Sequence, residues 1–179
     1  MTTSTLATFA PNDVSIILNH PATGISHTVS GYAQDSIVTV ERDTEAFAMH
    51  TGADNTATRI YMPNTSGKIT ISLAQTSNSN DVLTWIYNYD LSKLNAQGLF
   101  SITVKDNSGR STFYSAQSYI AIIPHSAFGT SMQNREWVIH GRDLQMALGG
   151  NNPFNNADAS AVQALCGAIN PAWAPSGGL

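Results

Sequence analysis

Five histidines (His20, His27, His50, His125 and His140), one cysteine and scattered carboxylates are the groups in this chain with the chemistry for a reaction or a metal. A zinc or iron site needs two or more of them brought close, and the shortest route is a pair four apart on one helix beside an acidic residue. No two histidines have that spacing, so they read as separate surface residues. Serines abound, but none sits in the G-x-S-x-G turn that presents a nucleophile. Cys166 lies in the alanine-rich stretch DASAVQALCGAI and reads as a small apolar residue on a helix face rather than a nucleophile. Glu41 and Asp43 share one face of a strand, with Glu45 close behind, whereas the carboxylate pairs of glycosidases usually come from separate strands. Gly149-Gly150 lacks the strand-to-helix context of a phosphate loop. No catalytic residue, metal or cofactor is expected. Trp85 and Tyr89 fall four apart in a helical pattern: exposed they would make a sugar platform, and buried they would cover a sheet. The second reading is taken, and Trp137, next to Val138 and Ile139, is expected to be half buried.

Composition narrows the class. The 179 residues suit one domain, with 42% hydrophobic residues for a packed core and only 11% charged ones, about half the usual share. A surface so sparsely charged fits one that copies of the same chain cover. The net charge is −4 with no run of Lys or Arg, which excludes binding nucleic acid by neutralising its phosphates. Residues 1–10 lack the charged-then-apolar order of an export signal, and no run is apolar enough to span a bilayer. The single cysteine excludes an intrachain disulfide. These features fit synthesis in a cytoplasm.

The elements are organised around residues 67–89, GKITISLAQTSNSNDVLTWIYNY. From 68 to 74 apolar and polar residues alternate as in a half-buried strand: Ile69, Ile71 and Leu73 on one face, Lys68, Thr70 and Ser72 on the other. After a polar turn, Val82, Leu83, Ile86 and Tyr87 take helical spacing, predicting an α-helix over about 79–93 with Ser77, Asn78 or Ser79 as cap and Asp81 at the positive end of its dipole. Strands are expected at 14–18, 25–32, 36–42, 46–50 and 57–62, the last two joined by a tight turn at 51–56. Further strands are expected at 99–104, 111–116 and 119–123. Residues 135–147 fit helix or strand; the Trp137-Val138-Ile139 run and Gly141 favour strand. Residues 1–10 look like an arm. The first 148 residues form the domain, and 149–179 an extension with a linker at 151–156, a short helix at 158–169 capped by Asp158, and an irregular Pro/Gly-rich end.

The order of these elements, with particular residues, resembles the tail tube proteins of contractile-tailed bacteriophages. The matching points begin with Gly31-Tyr32-Ala33, then Ile37-Val38-Thr39-Val40-Glu41-Arg42-Asp43, Ala46-Phe47, the Gly52-Ala53-Asp54 turn and Thr58-Arg59. The central segment follows with Ser66-Gly67-Lys68-Ile69-Thr70-Ile71, Leu73, Gln75-Thr76-Ser77 and Asn80-Asp81-Val82-Leu83, and later come Lys105-Asp106, Tyr119-Ile120 and Arg135-Glu136-Trp137. The likeness covers residues 12–147 and rests on the ordered set. Where the family turn often reads Gly-Ala-Asp-Gly, Asn55 takes the last place, and asparagine keeps access to positive φ. The extension lies outside the pattern.

The resemblance implies a mainly β fold, two antiparallel sheets packed as a sandwich or barrel with one flanking helix. Six subunits would close a ring, and rings would stack with copies of themselves into a hollow tube. Sheath, baseplate and tail terminator proteins would be its partners, and double-stranded DNA would pass through without specific binding. The protein would be made in the host cytoplasm and reside in the virion tail, without a membrane anchor. Glu41, Asp43, Lys68, Thr70 and Ser72 are expected to face the lumen. The turn at Gly52, Ala53, Asp54 and Asn55 is expected either to pack between rings or to be an ordinary exposed hairpin. The competing classes are a secretion-system-like tube subunit and a carbohydrate-binding β-sandwich module.

Overall fold

The protein is described by a computed structural model over residues 10–93 and 95–170; the expected arm and most of the Pro/Gly-rich end lie outside the described residues. After a short 3-10 turn at Pro11–Asp13 come β1 (Val14–His20), β2 (Ile25–Thr28), β3 (Val38–Arg42), β4 (Phe47–Thr51), β5 (Ala57–Tyr61) and β6 (Gly67–Ala74). Then follow α1 (Ser79–Lys93), β7 (Phe100–Asp106), β8 (Thr112–Ile122), β9 (Asn134–Gly141), β10 (Leu144–Ala147) and α2 (Asn156–Cys166).

Eight of the strands form one antiparallel sheet in the order β2-β1-β7-β8-β9-β6-β3, with β10 also on β8, while β4 and β5 make a separate two-stranded ribbon. The expected mainly antiparallel β fold with a flanking helix is present, but the strands of the expected two-sheet sandwich or barrel, apart from the ribbon, hydrogen-bond into one sheet. The strand that unites the sheet is β8, which the sequence reading divides into 111–116 and 119–123. Its first half carries β10 and its second half β9 along one edge, while β7 runs along the other. A register shift between Ile120 and Ile122 lets it bend between these tasks.

Twist accumulates across so many strands and curls the sheet around its own inner face. Ile16 and Leu18 of β1, Ile69, Ile71 and Leu73 of β6, and Ile102 and Val104 of β7 join one core with Trp137 and Ile139 of β9. Leu83 and Ile86 of α1 close it. Trp137 is fully buried rather than half buried, because its indole N–H donates to Asn80 Oδ1 at 2.9 Å from the helix above. Asn80 in turn donates to the carbonyls of Ala74 and Ser77, which joins β6, α1 and β9 at one point.

The start of α1 is held from the other side as well. Ser79 Oγ takes the Ser30 N–H at 3.0 Å and meets His27 Nε2 at the same distance. Gly31 passes so close that a Cβ there would lie 2.7 Å from that of Ser77, and its φ of +74° is one that only glycine adopts freely. In the extension, α2 begins two residues before the expected helix and ends three before it; Asn155 rather than Asp158 is its cap, accepting from the Asp158 N–H at 2.8 Å. Cys166 is exposed, not part of a packed face.

Candidate assembly interface

The β4–β5 ribbon follows from alternating apolar residues around a turn that tolerates positive φ. Asn55 takes φ +64°, and the Asn55 N–H donates to the Gly52 carbonyl while the Gly52 N–H donates to that of Thr56. Asp54 accepts from both the hydroxyl and the N–H of Thr56, and these bonds hold its carboxyl below the usual carboxylate range. Gly52, Ala53, Asp54 and Asn55 are thus brought together at the ribbon's tip.

On one face of the ribbon Phe47 pairs with Tyr61, and Met49 with Arg59, whose guanidinium lies 3.6 Å over the Phe47 ring; on the other, Ala48 pairs with Ile60. Met49 is 78% exposed and Tyr61 64%, and Phe47 and Ile60 are exposed too. A lone two-stranded ribbon has no core and is marginal in water, and apolar side chains on both faces need a cover. Sequence reasoning placed the hairpin but passed over these side chains; the alternation FAMHT…ATRIY, apolar at both parities, was the available signal.

The sheet face turned away from α1 mixes polar and apolar side chains, with its polar groups gathered on β3 and β6. Glu41 and Lys68 sit opposite each other on β3 and β6 and form an ion pair at 3.0 Å. Thr70 lies on the same face, and the strand partners of Lys68 and Thr70 on β9 are His140 and Val138. Tyr119 stacks on His140 at 5.6 Å. Ser72 shares the parity of Lys68 and Thr70 but is only 7% exposed, and Asp43 lies past the end of β3, accepting from Ser66 Oγ at 2.8 Å. Glu41, Lys68 and Thr70 therefore share a patch, with Asp43 at its margin. The opposite charges at its centre cancel locally.

The remaining exposed features lie elsewhere. Trp85, expected to cover the sheet, is 71% exposed instead. In the extension, Arg110 Nη1 donates to the Asn152 carbonyl at 2.7 Å with its guanidinium 4.1 Å over Phe154. Ser111 Oγ accepts the Gly149 N–H, and Asn151 bonds Ser108. The extension is thus strapped to the β7–β8 turn. Among the described residues no cluster of His, Cys, Asp or Glu could hold a metal, and no helix is long and apolar enough to cross a membrane.

The chain is built as a large antiparallel β-sheet with a covering helix, and its fold is similar to that of a tube-terminating cap. The cap is that of the anti-feeding prophage, whose cryo-EM structure gives a TM-score of 0.52 at 9% identity over 82% of this chain and 95% of that one. Residues 6–149 match the bacteriophage PhiTE tail tube protein family, and the chain belongs to that family. It is also 44% identical over 167 residues to structural protein ORF10 of Pseudomonas phage KPP10, covering 93% of this chain and 96% of the relative. That relative's match extends beyond residue 149, where the family match stops.

Proposed function

We propose that the chain is a non-catalytic tail tube subunit of the virion: six copies close into a ring, and rings stack into a hollow tube. The tube conducts double-stranded DNA from capsid to host when a surrounding sheath contracts. The ribbon carries this reading, since Phe47, Met49, Ile60 and Tyr61 stand exposed on an element with no core of its own, and a second copy of the chain in the next ring supplies the cover. The sheet supports it too. Its path ends in β2 and β3, whose outer edges lack ladder partners among the described residues, and closing a ring removes such edges. The Glu41, Lys68 and Thr70 face, with Asp43 at its rim, lines the lumen; the Glu41–Lys68 pair cancels and Asp43 adds a negative charge, which gives phosphates nothing to adhere to. Sheath, baseplate and terminator proteins meet the outside and ends.

Negative-stain electron microscopy of the concentrated protein tests the reading. Rings or hollow rods are expected, and a deletion of 51–56 leaves rings that do not stack. A monodisperse monomer at high concentration refutes the proposal, and full-length rods from the deletion refute the ribbon's part in it.

A further inference from the structure

Two stretches of exposed apolar surface spring from opposite ends of the same pair of strands. Arg42 pairs with Gly67 at the start of β6, and the ribbon leaves and rejoins the sheet there, with the Asp43 N–H donating to the Ser66 carbonyl at 3.2 Å. At the other end of β6, Ala74 pairs with Asn134 at the start of β9, and the Gln133 N–H donates to Gln75 Oε1 at 3.4 Å. The loop between β8 and β9, residues 123–133, is therefore anchored at that second end. β6 has eight residues, so roughly 24 Å of strand separates the two ends.

The loop has the composition of an interface. Phe128 is 80% exposed and Met132 62%, Ile122 and Ile123 stand exposed at its start, and residues 123–133 contain no Asp, Glu, Lys or Arg. Interface cores are short of acidic residues and lysine and rich in aromatic residues, Met and Arg; the ribbon supplies Phe47, Met49, Arg59 and Tyr61. Both patches are exposed in one molecule, so neither covers the other there. Each presents the equivalent of more than two large side chains, roughly 450 Å2 at about 200 Å2 apiece. Meeting, they bury about 900 Å2, close to the roughly 1,000 Å2 of a specific contact.

The other uncovered apolar surface is a groove between α1 and the β1–β2 turn, walled by Ile25, Val82, Trp85, Ile86 and Tyr89 and reached by His20. Asn19, beside His20, pairs with Ser101, and the partners Phe100–Ser118, Ser118–Gly141 and Gly141–Gly67 carry that level across the sheet to the ribbon's own end of β6. The groove thus fits a copy standing alongside, not one stacked beyond. Ribbon on ribbon sets like ends together, a two-fold contact that stops at two rings and leaves the loop bare. Ribbon on loop sets unlike ends together and repeats along an axis.

We propose that the ribbon of one subunit docks on the 123–133 loop of a subunit in the next ring, with Phe128 and Met132 packing against Met49 and Tyr61. The proposal rests on the reading of the chain as a subunit of stacked rings. To test it, p-benzoylphenylalanine replaces Phe128 in the full chain, nitrogen-14 and nitrogen-15 protein are mixed equally before assembly, and rods isolated by sedimentation are irradiated. Crosslinks from position 128 to peptides within 47–61 are expected, about half of them joining a light chain to a heavy one. A second measurement needs no crosslinker. Phe128→Ser with Met132→Ser should raise the critical concentration for rods roughly a hundredfold, the effect of losing two exposed apolar anchors, with the thermal midpoint unchanged. Adding Met49→Thr and Tyr61→Thr should raise it little further, since both pairs of changes remove one contact. Rods whose crosslinks from 128 reach other segments, stay within one chain or do not form overturn the proposal, as does a combined effect of roughly ten-thousandfold, the product of two independent losses; each leaves the tube reading standing. A chain that makes no rods overturns both.

Discussion

Replacing Met49 and Tyr61 together by threonine tests whether the ribbon is an interface. Threonine keeps the preference for extended backbone, so the ribbon itself should persist. Both side chains are largely solvated in the subunit, at 78% and 64% exposure, so the isolated protein should lose no more than about 0.5 kcal/mol, the usual range for a surface change. Assembly is another matter. Full burial of such a side chain contributes about 1.5–3 kcal/mol, and the exposed fractions scale this to about 1–2 kcal/mol each on contact with a neighbour. Losing both costs about 3 kcal/mol per subunit contact, or roughly a hundredfold in affinity. The critical concentration for rods, read by sedimentation over a dilution series and checked by electron microscopy, should rise by about that factor while the denaturant midpoint stays put. An unchanged critical concentration would show that the ribbon's apolar faces are not covered in the polymer, and the reasoning would fail.

Other perturbations probe the subunit and its polar patch. Asn80→Ala leaves the buried indole N–H of Trp137 without its acceptor, and should cost about 2–4 kcal/mol in urea unfolding; a loss under 0.5 kcal/mol would mean that the joint is not stabilising. Glu41→Lys sets a second cation beside Lys68; it should leave tubes intact, since exposed ion pairs are worth at most about 1 kcal/mol, yet slow DNA delivery. Normal infectivity would count against Glu41 facing the lumen. Burial holds the His27 imidazole below its ordinary value. Its contribution to stability is thus fully present above about pH 6.5 and is lost as pH falls below that. His27→Gln should flatten the urea midpoint between neutral and mildly acidic pH, and an unaltered slope would refute the assignment.

Local patterns in the chain proved readable, and long-range pairings did not. The helix over 79–93 matches α1, because a polar turn rich in capping residues separates two clear periods. Asn55 adopts the positive φ that its residue type allows. What alternation cannot reveal is whether strands join one sheet or two, and parting β8 at residues 117–118 removed the link between β7, β9 and β10. Ser118 sits in that gap, fully buried opposite Gly141, so a polar residue there marks a close approach rather than a break. Trp85 and Trp137 erred in opposite directions for related reasons. Helical spacing does not say which side of a stripe meets the sheet, and the partner that buries Trp137, Asn80, is 57 residues away. Of the candidate site, the turn at 52–55 and the Glu41, Lys68, Thr70 face were legible from turn chemistry and strand parity. The apolar ribbon and the groove under Trp85 depend on what is left uncovered, which only the folded chain displays.

The division of the strands into one large sheet and a ribbon paired only with itself separates two events in time. The ladders inside the main sheet form within one molecule and leave the outer edges of β2 and β3 for neighbours, so a subunit can fold most of itself while still alone. The ribbon shares none of those ladders, and its final pose can be fixed later by whichever molecule arrives next, without reopening anything already made.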